Sequence, residues 1–263
     1  MIERWTEGNA EANMPEDLLV ELSAIIHRHP WNRARARLTL AVLDRWEVHP
    51  PARVRDAGCG WGVTLERLER KGYQAEGLDI SRKALERIDR PGRRLIEADL
   101  TRPLPRGNGE YDAVLALDVI EHLDDDRAAV ERLGQLTKPG GIVVVSVPAL
   151  PDLFGEFDRV QGHRRRYLPE TLRGAFEGTV LRLERLSWWG AWMVPLLRRQ
   201  RRYSRAQQGE SPLKTFGRYL KLPPRPIPWA FDLAYALEHQ PALSGRLRTG
   251  TSLLAVARRA DGP

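Results

Sequence analysis

Between residues 53 and 148, short apolar segments alternate with longer amphipathic ones. The short segments have the length and composition of buried strands, and the amphipathic segments have apolar residues on one helical face. The predicted strands are RVRDAG, YQAEGLDI, RRLIEAD, YDAVLALD and GGIVVVSVP, and the predicted helices cover 62–70, 81–89 and 124–136. Apolar strands joined by helices form parallel sheets with helices on both faces, so the pattern predicts an α/β fold.

The flanks of this alternating region have a different pattern. Two further helices are predicted at 15–30 and 33–46, and the alternation stops after Pro148. A short helix is predicted after Pro169, followed by the strand TVLRLERLSWWG, a stretch rich in Pro and Arg, and a last strand, TSLLAVARR. We therefore expect an N-terminal helical lid (1–50), a core (51–189), an insertion between the last two strands (190–247) and a final core strand (248–263).

Composition limits the classes of protein that fit. With 263 residues and 42% hydrophobic content, the chain can form one large core with a small subdomain. A single cysteine, Cys59, excludes an internal disulfide and a multi-cysteine zinc site, and we expect no metal. The apolar run WWGAWMVPLL at 188–197 is too short to span a bilayer, and the N-terminus does not resemble a signal peptide. We expect a soluble cytoplasmic protein, or one bound at the inner membrane surface.

A glycine-rich turn follows the first strand of the alternating region. In VRDAGCGWG, Gly58, Gly60 and Gly62 permit positive φ angles and allow a ligand to approach the backbone. The spacing is G-x-G-x-G, and Asp56 lies two residues before the first glycine. A pyrophosphate would be repelled by this carboxylate, whereas an ammonium group would be attracted. The turn therefore indicates a nucleotide-like ligand that carries a positive charge, and it fits a nicotinamide dinucleotide poorly.

An aspartate stands at the end of each of the first four strands. They are Asp56, Asp79, Asp99 and Asp118. Any one of them could be the N-cap of the next helix, which is a common use of aspartate. Because the carboxyl ends of parallel strands share one edge of a sheet, four such residues in register predict a ligand-binding crevice there.

Taken together, these motifs resemble those of the class I methyltransferases that use S-adenosylmethionine (SAM). The similar stretches are DAGCGWG, GLDIS, EADL, YDAVLALDVIEHL and TKPGGIVVVSVP. The resemblance implies a Rossmann-like, seven-stranded, mostly parallel sheet whose last strand is antiparallel. It also implies SAM as cofactor and S-adenosylhomocysteine as product, bound at the carboxyl ends of the first, second and fourth strands.

The resemblance also implies which residues contact the cofactor. Asp56 and the turn would hold the methionine end, Asp79 with Ile80 the ribose, and Asp99 with Leu100 the adenine, while Asp118 would lie near the methionine portion. The turn residues are Gly58, Cys59, Gly60 and Gly62.

Motifs that the sequence lacks narrow the range of possible methyl acceptors. After the fourth strand comes LDVIEHL, not the Asn/Asp-Pro-Pro-aromatic motif of many nucleic-acid amino-methyltransferases, and the only cysteine lies in the glycine turn. The sequence resembles a poorly characterised subgroup with an H-x-R-R-Y segment, here His163–Tyr167. The resemblance implies a small-molecule, glycan-linked or lipid-linked acceptor, methylated at oxygen. An RNA or nucleic-acid methyltransferase and a non-catalytic SAM-binding protein are the alternatives.

Two histidines and the segment GHRRRYLPE are the candidates for catalysis and acceptor binding. His122 and His163 are candidate general bases because a free imidazole titrates near neutral pH, although His122 could equally be structural. Glu121 is expected to cap a helix or to orient its neighbours. Alternation along an extended loop would place Arg164 and Arg166 opposite Arg165.

The same segment has two alternative interpretations. In the first, at least one of its residues contacts the acceptor; in the second, salt bridges fix the loop to the protein. Tyr167 is a candidate for both catalysis and binding, and the other candidates for acceptor binding are Arg165, Arg166 and Trp31.

Basic residues are concentrated in the second half of the chain. Residues 159–205 hold twelve arginines and three glutamates, and the tryptophans of 188–205 lie beside several of them. This composition is typical of a segment lying on anionic lipid. Tryptophans that cover the cofactor crevice are the alternative, and we consider nucleic acid an unlikely partner.

Overall fold

The computed structural model describes residues 2–5, 23–105, 108–204 and 227–260 of the chain. Eight strands in this part form one sheet in the order β1-β4-β3-β2-β5-β6-β8-β7. They are β1 (Ile2–Arg4), β2 (Arg53–Ala57), β3 (Gln74–Asp79), β4 (Arg94–Glu97), β5 (Tyr111–Leu117), β6 (Thr137–Pro148), β7 (Leu181–Trp189) and β8 (Ser252–Arg259). Only β8 runs against the others, because it pairs antiparallel with both β6 and β7 while the remaining pairs are parallel.

The helices pack on both faces of this sheet. They are α1 (Ser23–Arg28), α2 (Pro30–Arg45), α3 (Val63–Arg70), α4 (Arg82–Ile88), α5 (Asp126–Leu136), α6 (Glu156–Val160), α7 (Pro169–Gly174), α8 (Met193–Ser204) and α9 (Ile227–Leu243). Two large apolar clusters lie on opposite sides of the strands, one around α5 and α7 and the other around α2, α3 and α9. The predicted Rossmann-like fold, with its antiparallel last strand, is therefore confirmed.

The sheet has one strand more than the predicted seven. The additional strand β1 pairs in parallel with β4 at the edge, where Ile2 lies opposite Leu95 and Arg4 opposite Glu97. Three residues with one buried apolar side chain carry no alternating pattern, so the sequence did not reveal this strand. Its pairing depends on backbone hydrogen bonds to a neighbour that is distant in sequence.

Helix α2 belongs to the packed layer of the core. Its residues Ala34, Leu38, Val42 and Leu43 are buried against the sheet, and the helix also packs against α9. Arg33 and Arg37, one turn apart, both form ion pairs with Asp232 of α9. Of the predicted helix at 15–30, residues 15–22 lie outside the described residues.

The tryptophans near the end of β7 are packed against other parts of the protein. Trp189 is 2% exposed and stacks on Trp31 with ring centroids 5.4 Å apart. Trp192 packs against Phe231 and Tyr235 of α9. Trp189 and Trp192 therefore pack against α2 and α9 of the protein itself. Residues 205–226 of the predicted insertion lie outside the described residues.

No helix among the described residues combines the length and the apolar character needed to cross a lipid bilayer.

A buried charge network connects β2, β3, β4 and β5. The Glu76 carboxylate is 5% exposed and accepts hydrogen bonds from Arg55 Nη2 (2.9 Å), Tyr111 Oη (2.7 Å) and Arg94 Nη1 (2.8 Å). The Arg55 side chain is fully buried and also lies over the Tyr111 ring. Removing one member of a buried ion pair leaves the other charge without compensation, which is strongly destabilising.

We expect the substitution Glu76→Gln to lower the free energy of unfolding by about 3 kcal/mol, because Arg55 would lose its carboxylate partner. Glu86→Gln is the matched control, since Glu86 forms an exposed pair with Arg82 on α4. Its effect should stay below about 0.5 kcal/mol. Urea denaturation of both variants measures the difference, and similar midpoints for the two would contradict the prediction.

Candidate active site

A cleft of about 160 Å³ opens at the carboxyl ends of β2, β3 and β5. It is lined by Gly58, Gly60, Trp61, Leu78, Asp79, Ile80, Ser81, Ala98, Asp99, Leu100, Asp118, Val119, His122 and Leu123. The sheet order reverses between β2 and β5, and open parallel sheets bind ligands at such a reversal. Eight of these residues are sequence-predicted site residues: Gly58, Gly60, Asp79, Ile80, Asp99, Leu100, Asp118 and His122.

The glycine turn forms the floor of this cleft. The backbone N–H groups of Gly58 and Cys59 donate to the Leu78 carbonyl oxygen at 2.7 and 3.0 Å. Gly58 has φ +77°, and a Cβ there would lie 2.3 Å from Val119 Cγ2, so no larger residue fits. At Gly60, with φ +46°, a Cβ would meet no protein atom within 4 Å. Gly60 therefore leaves room on the cleft side of the turn.

Asp79 is fixed by backbone donors. Its carboxylate accepts hydrogen bonds from Gly60 N (2.8 Å) and Ser81 N (2.9 Å). Burial raises the pKa of Asp79, and these two N–H groups oppose the rise. Asp99 is held similarly, by Thr101 N at 2.8 Å. Both carboxylates therefore face the cleft in fixed positions.

A smaller cavity of about 20 Å³ lies behind the turn. Asp56, Cys59 and Arg35 are among the residues that line it. Arg35 donates to the Leu117 carbonyl oxygen at 3.1 Å and forms an ion pair with Asp118. The sequence analysis did not identify Arg35, which reaches the site from α2.

Asp56 is almost fully buried, and burial raises its pKa to about 7 although Arg35 opposes the rise. An exposed aspartate has a pKa of about 3.9. Because the pKa of the folded state is the higher one, the neutral form favours folding. This contribution is complete below about pH 4 and is lost as the pH rises through about 7.

The substitution Asp56→Asn removes this ionisation. Without SAM, we expect the variant to exceed the wild type by about 2 kcal/mol or more in unfolding free energy at pH 8, and to match it near pH 4. Urea denaturation at both pH values measures this difference. Glu177→Gln, at an exposed position, is the control and should change stability by less than about 0.5 kcal/mol at either pH. A pH-independent effect of Asp56→Asn would contradict the prediction.

His122 and His163 lie edge to face, with ring centroids 4.8 Å apart. His122 lines the cleft, and its Nδ1 lies 3.3 Å from the Gly162 carbonyl oxygen. His163 lies behind it with its side chain 7% exposed, and its Nδ1 is 3.2 Å from Asp158 Oδ1. The structure thus brings both predicted histidines together, but only His122 borders the cleft.

Glu121 does not cap a helix. Its side chain is fully buried, and neither carboxylate oxygen has a hydrogen-bond partner among the described residues. The expected capping role is therefore wrong. The N-cap of the next helix, α5, is Asp125, whose side chain accepts from Ala128 N.

The arginines of GHRRRY do not alternate as expected. Arg164 and Arg165 both donate to carbonyl oxygens of the segment 122–124, with an N···O distance of 2.7 Å from Arg164 to His122. Arg166 points elsewhere and donates to Asp158 (2.7 Å) and to the Ala149 carbonyl oxygen (3.0 Å). The expected alternation is wrong because the loop is not an isolated extended strand; it follows acceptors on the neighbouring segments.

Tyr167 and Trp31 do not border the cleft either. Tyr167 is 1% exposed and donates its hydroxyl to Asp126 Oδ2 at 2.8 Å. Trp31 stacks on Trp189 and lies under the Arg35 guanidinium. Neither side chain lines the cleft, and their contacts with an acceptor stay predictions.

The fold and the cleft together define a class of protein. A Rossmann-like sheet with one antiparallel strand, a G-x-G-x-G turn and carboxylates at successive strand ends defines the class I SAM-dependent methyltransferases. The chain matches the family described as a methyltransferase domain over residues 27–205, which is more than half of its length. It belongs to this family and uses SAM as its cofactor.

Two curated relatives are similar over part of the chain. The ubiquinone biosynthesis O-methyltransferase of Chromobacterium violaceum is 30% identical over 118 residues, which are 41% of this chain and 50% of that protein. An uncharacterized methyltransferase of Mycobacterium bovis is 36% identical over 129 residues, 47% of this chain and 64% of the relative. The chain thus spans about half the length of the curated relatives it matches.

A solved structure shows the same fold. Phosphoethanolamine N-methyltransferase 2 of Haemonchus contortus, in complex with phosphomonomethylethanolamine and S-adenosylhomocysteine, superposes with a TM-score of 0.54 at 19% identity. The match covers 88% of this chain and 53% of that chain. At this identity the likeness shows the fold alone.

Proposed function

We propose that the protein transfers the methyl group of SAM to an oxygen atom of a small-molecule, glycan-linked or lipid-linked acceptor. The observation that carries the proposal is the position of His122 in the cleft, beside the strand-end carboxylates. SAM supplies an electrophilic methyl group on a sulfonium, and the protein has to align the acceptor and handle its proton.

The two cavities match the two ends of the cofactor. The smaller one is lined by Asp56 and Arg35, one group of each charge, which suits the ammonium and carboxylate of an amino acid. Asp79 is placed to accept hydrogen bonds from ribose hydroxyls, and Asp99 with Leu100 to contact the adenine. Gly60 leaves room for the ligand between these groups.

His122 provides a neutral imidazole at the other end of the cleft. Burial and then the neighbouring His163 lower the pKa of His122 to about 4, so the ring is uncharged at pH 7. Since the Gly162 carbonyl can only accept, Nδ1 carries the proton. Nε2 has no hydrogen bond to the described residues. It can therefore accept the acceptor's hydroxyl proton, or bind an ion that makes this proton more acidic.

The relatives support oxygen as the acceptor atom. The relative from C. violaceum is named as an O-methyltransferase of ubiquinone biosynthesis, and this chain is 30% identical to it over 118 residues. For this chain we propose the same type of reaction, methyl transfer to oxygen, and not the same acceptor.

The alternative of a nucleic-acid methyltransferase is less well supported. Arg164, Arg165 and Arg166, central to the basic cluster, are all engaged by acids and carbonyl oxygens of the protein. Such pairing lowers their availability for phosphates. The structure thus favours the interpretation in which salt bridges fix the loop.

Membrane contact, which would suit a lipid-linked acceptor, has a second candidate surface besides the expected segment at 188–205. We propose that α9 makes this contact, because Trp229, Leu233 and Leu237 lie one turn apart along it and are 68%, 44% and 71% exposed. Within the expected segment, Trp189 is buried and Trp192 is partly buried against Phe231.

Methyl-labelled SAM tests the proposed function directly. Purified protein is incubated with labelled SAM and extract of the source organism, and label is counted in nucleic-acid, protein, lipid and small-metabolite fractions. We expect label in the last two, absent with Asp79→Ala, and released from the product as methyl iodide by hydriodic acid, as methyl ethers are. Label in nucleic acid would favour the alternative, and SAM binding without any transfer would support a non-catalytic protein.

We expect His122→Ala to retain SAM affinity and to lower the rate of methyl transfer at least about tenfold. Both roles open to Nε2 require this nitrogen, so the loss is independent of which role applies. His49→Ala is the control, since His49 is half-exposed at the amino end of β2, away from the cleft. Calorimetric titration with SAM and initial rates of label transfer measure the two effects. Unchanged transfer in His122→Ala would assign the residue to structure.

A further inference from the structure

We propose that Glu121, His122 and His163 bind a divalent transition-metal ion of the Zn²⁺ type. One ligand atom from each residue can be chosen so that all lie within 4.8 Å of one another. Two imidazole nitrogens and one carboxylate oxygen form a ligand set known from catalytic zinc sites. The cluster adjoins the cleft through His122.

The Glu121 carboxylate is the first observation that points to a cation. It is fully buried, and both of its oxygens lack a hydrogen-bond partner among the described residues. A carboxylate in this state is costly unless a positive charge lies close to it. Among the described residues, the nearest group that can carry a positive charge is the His163 imidazole, whose Nε2 lies 3.9 Å from Glu121 Oε1.

The neighbouring carboxylates already have their own partners. Asp118 forms an ion pair with Arg35, and Asp158 accepts from Arg166 Nε at 2.7 Å. Glu121 has no guanidinium of this kind within ion-pair distance in the described part of the chain. Of these three carboxylates, that of Glu121 lacks a guanidinium partner, and a metal ion would supply the positive charge.

Both imidazoles are oriented as metal-bound histidines are. Each directs Nδ1 to an oxygen of the protein, His122 to Gly162 at 3.3 Å and His163 to Asp158 at 3.2 Å. Hydrogen bonds of this type fix the tautomer and leave Nε2 for the metal. Asp158 is itself held by Gly155 N at 2.8 Å. The outer partners of the proposed ligands are therefore in place.

The donor set favours some metals over others. Zn–N bonds of about 2.0–2.1 Å place tetrahedral ligand atoms about 3.3 Å apart, so the ligand atoms, which lie within 4.8 Å of one another, would have to close by up to about 1.5 Å. Imidazole suits Zn²⁺, Fe²⁺, Co²⁺ and Ni²⁺ better than Mg²⁺ or Ca²⁺, which prefer oxygen ligands. Three protein ligands leave coordination positions for a further oxygen.

The role of this ion rests on the proposed function. At the border of the cleft, the ion would bind the acceptor hydroxyl and lower its pKa, so that its proton passes to solvent before methyl transfer. His122 would then be a metal ligand rather than the proton acceptor. The sequence analysis expected His122 to act as a general base. As a metal ligand, His122 would instead make methyl transfer depend on the ion.

The test measures metal binding without any acceptor. Untagged protein is freed of metal with a chelator, dialysed against Zn²⁺ and analysed for bound zinc per chain. Co²⁺ in place of Zn²⁺ gives visible absorption bands whose intensity reports four- or five-coordination. We expect one equivalent of zinc, and a cobalt spectrum without the thiolate charge-transfer band that Cys59 would produce.

Two variants assign the ligands, and a third is the control. We expect Glu121→Gln and His163→Ala to weaken Zn²⁺ binding at least tenfold, and His49→Ala to leave it unchanged. Thermal unfolding and SAM titration establish that each variant is folded. If His163→Ala does not fold, Glu121→Gln, which keeps the side-chain volume, decides the outcome.

Each result has a defined meaning. Wild-type protein without stoichiometric zinc, or with zinc binding that Glu121→Gln leaves intact, overturns the metal site. Zinc bound through these ligands, together with methyl transfer that is lost on chelation and restored by Zn²⁺, supports both the site and its role. Zinc binding without any methyl transfer would leave the site in place and contradict the proposed function.

Discussion

The structure depends on how it keeps buried and half-buried carboxylates at one edge of the sheet. Parallel strands bring their carboxyl ends to one edge, and four of these ends carry aspartates that are buried or half-buried. Each charge needs its own compensation: backbone N–H groups for Asp79 and the Arg35 guanidinium for Asp118. Asp56 has the least, which is why its pKa rises to about 7. The docking of α2 on the sheet therefore supplies the guanidinium that compensates Asp118.

The position of the glycine turn and of the strand-end carboxylates in the cleft could be predicted because their pattern is local. The glycine turn, Asp79 and Asp99 follow strands whose apolar composition is visible in the sequence, and the backbone places the residues at a strand end. Arg35 could not be found in this way. In the run NRARAR, Arg33 and Arg37 lie one helical turn apart and face Asp232, so the arginine between them faces the opposite side. Which side meets the crevice is decided by tertiary packing alone.

The contacts of the GHRRRY loop were harder to predict, because they too are decided by tertiary packing. The partners of Arg164, Arg165 and Arg166 are carbonyl oxygens and acids about 40 residues earlier in the chain or on a neighbouring loop. No periodicity predicts such contacts, and treating the loop as a strand gave the wrong orientation. Glu121 is a second example, because a glutamate near the start of a helix can belong to a capping box, and only its burial without a hydrogen-bond partner among the described residues shows otherwise.

The insertion between β7 and β8 begins and ends at one point. Gly190 and Thr251 are joined by a backbone hydrogen bond of 3.3 Å, and Glu238 of α9 accepts from the backbone N–H groups of Gly190 and Ala191. For a flexible loop closed in this way, each doubling of its length costs only about 0.6 kcal/mol. The two strands at its base hold their register through pairing with each other and with β6. Segments of different length and composition could therefore be exchanged here during evolution while the cofactor crevice stayed the same, so that one catalytic core could serve many acceptors.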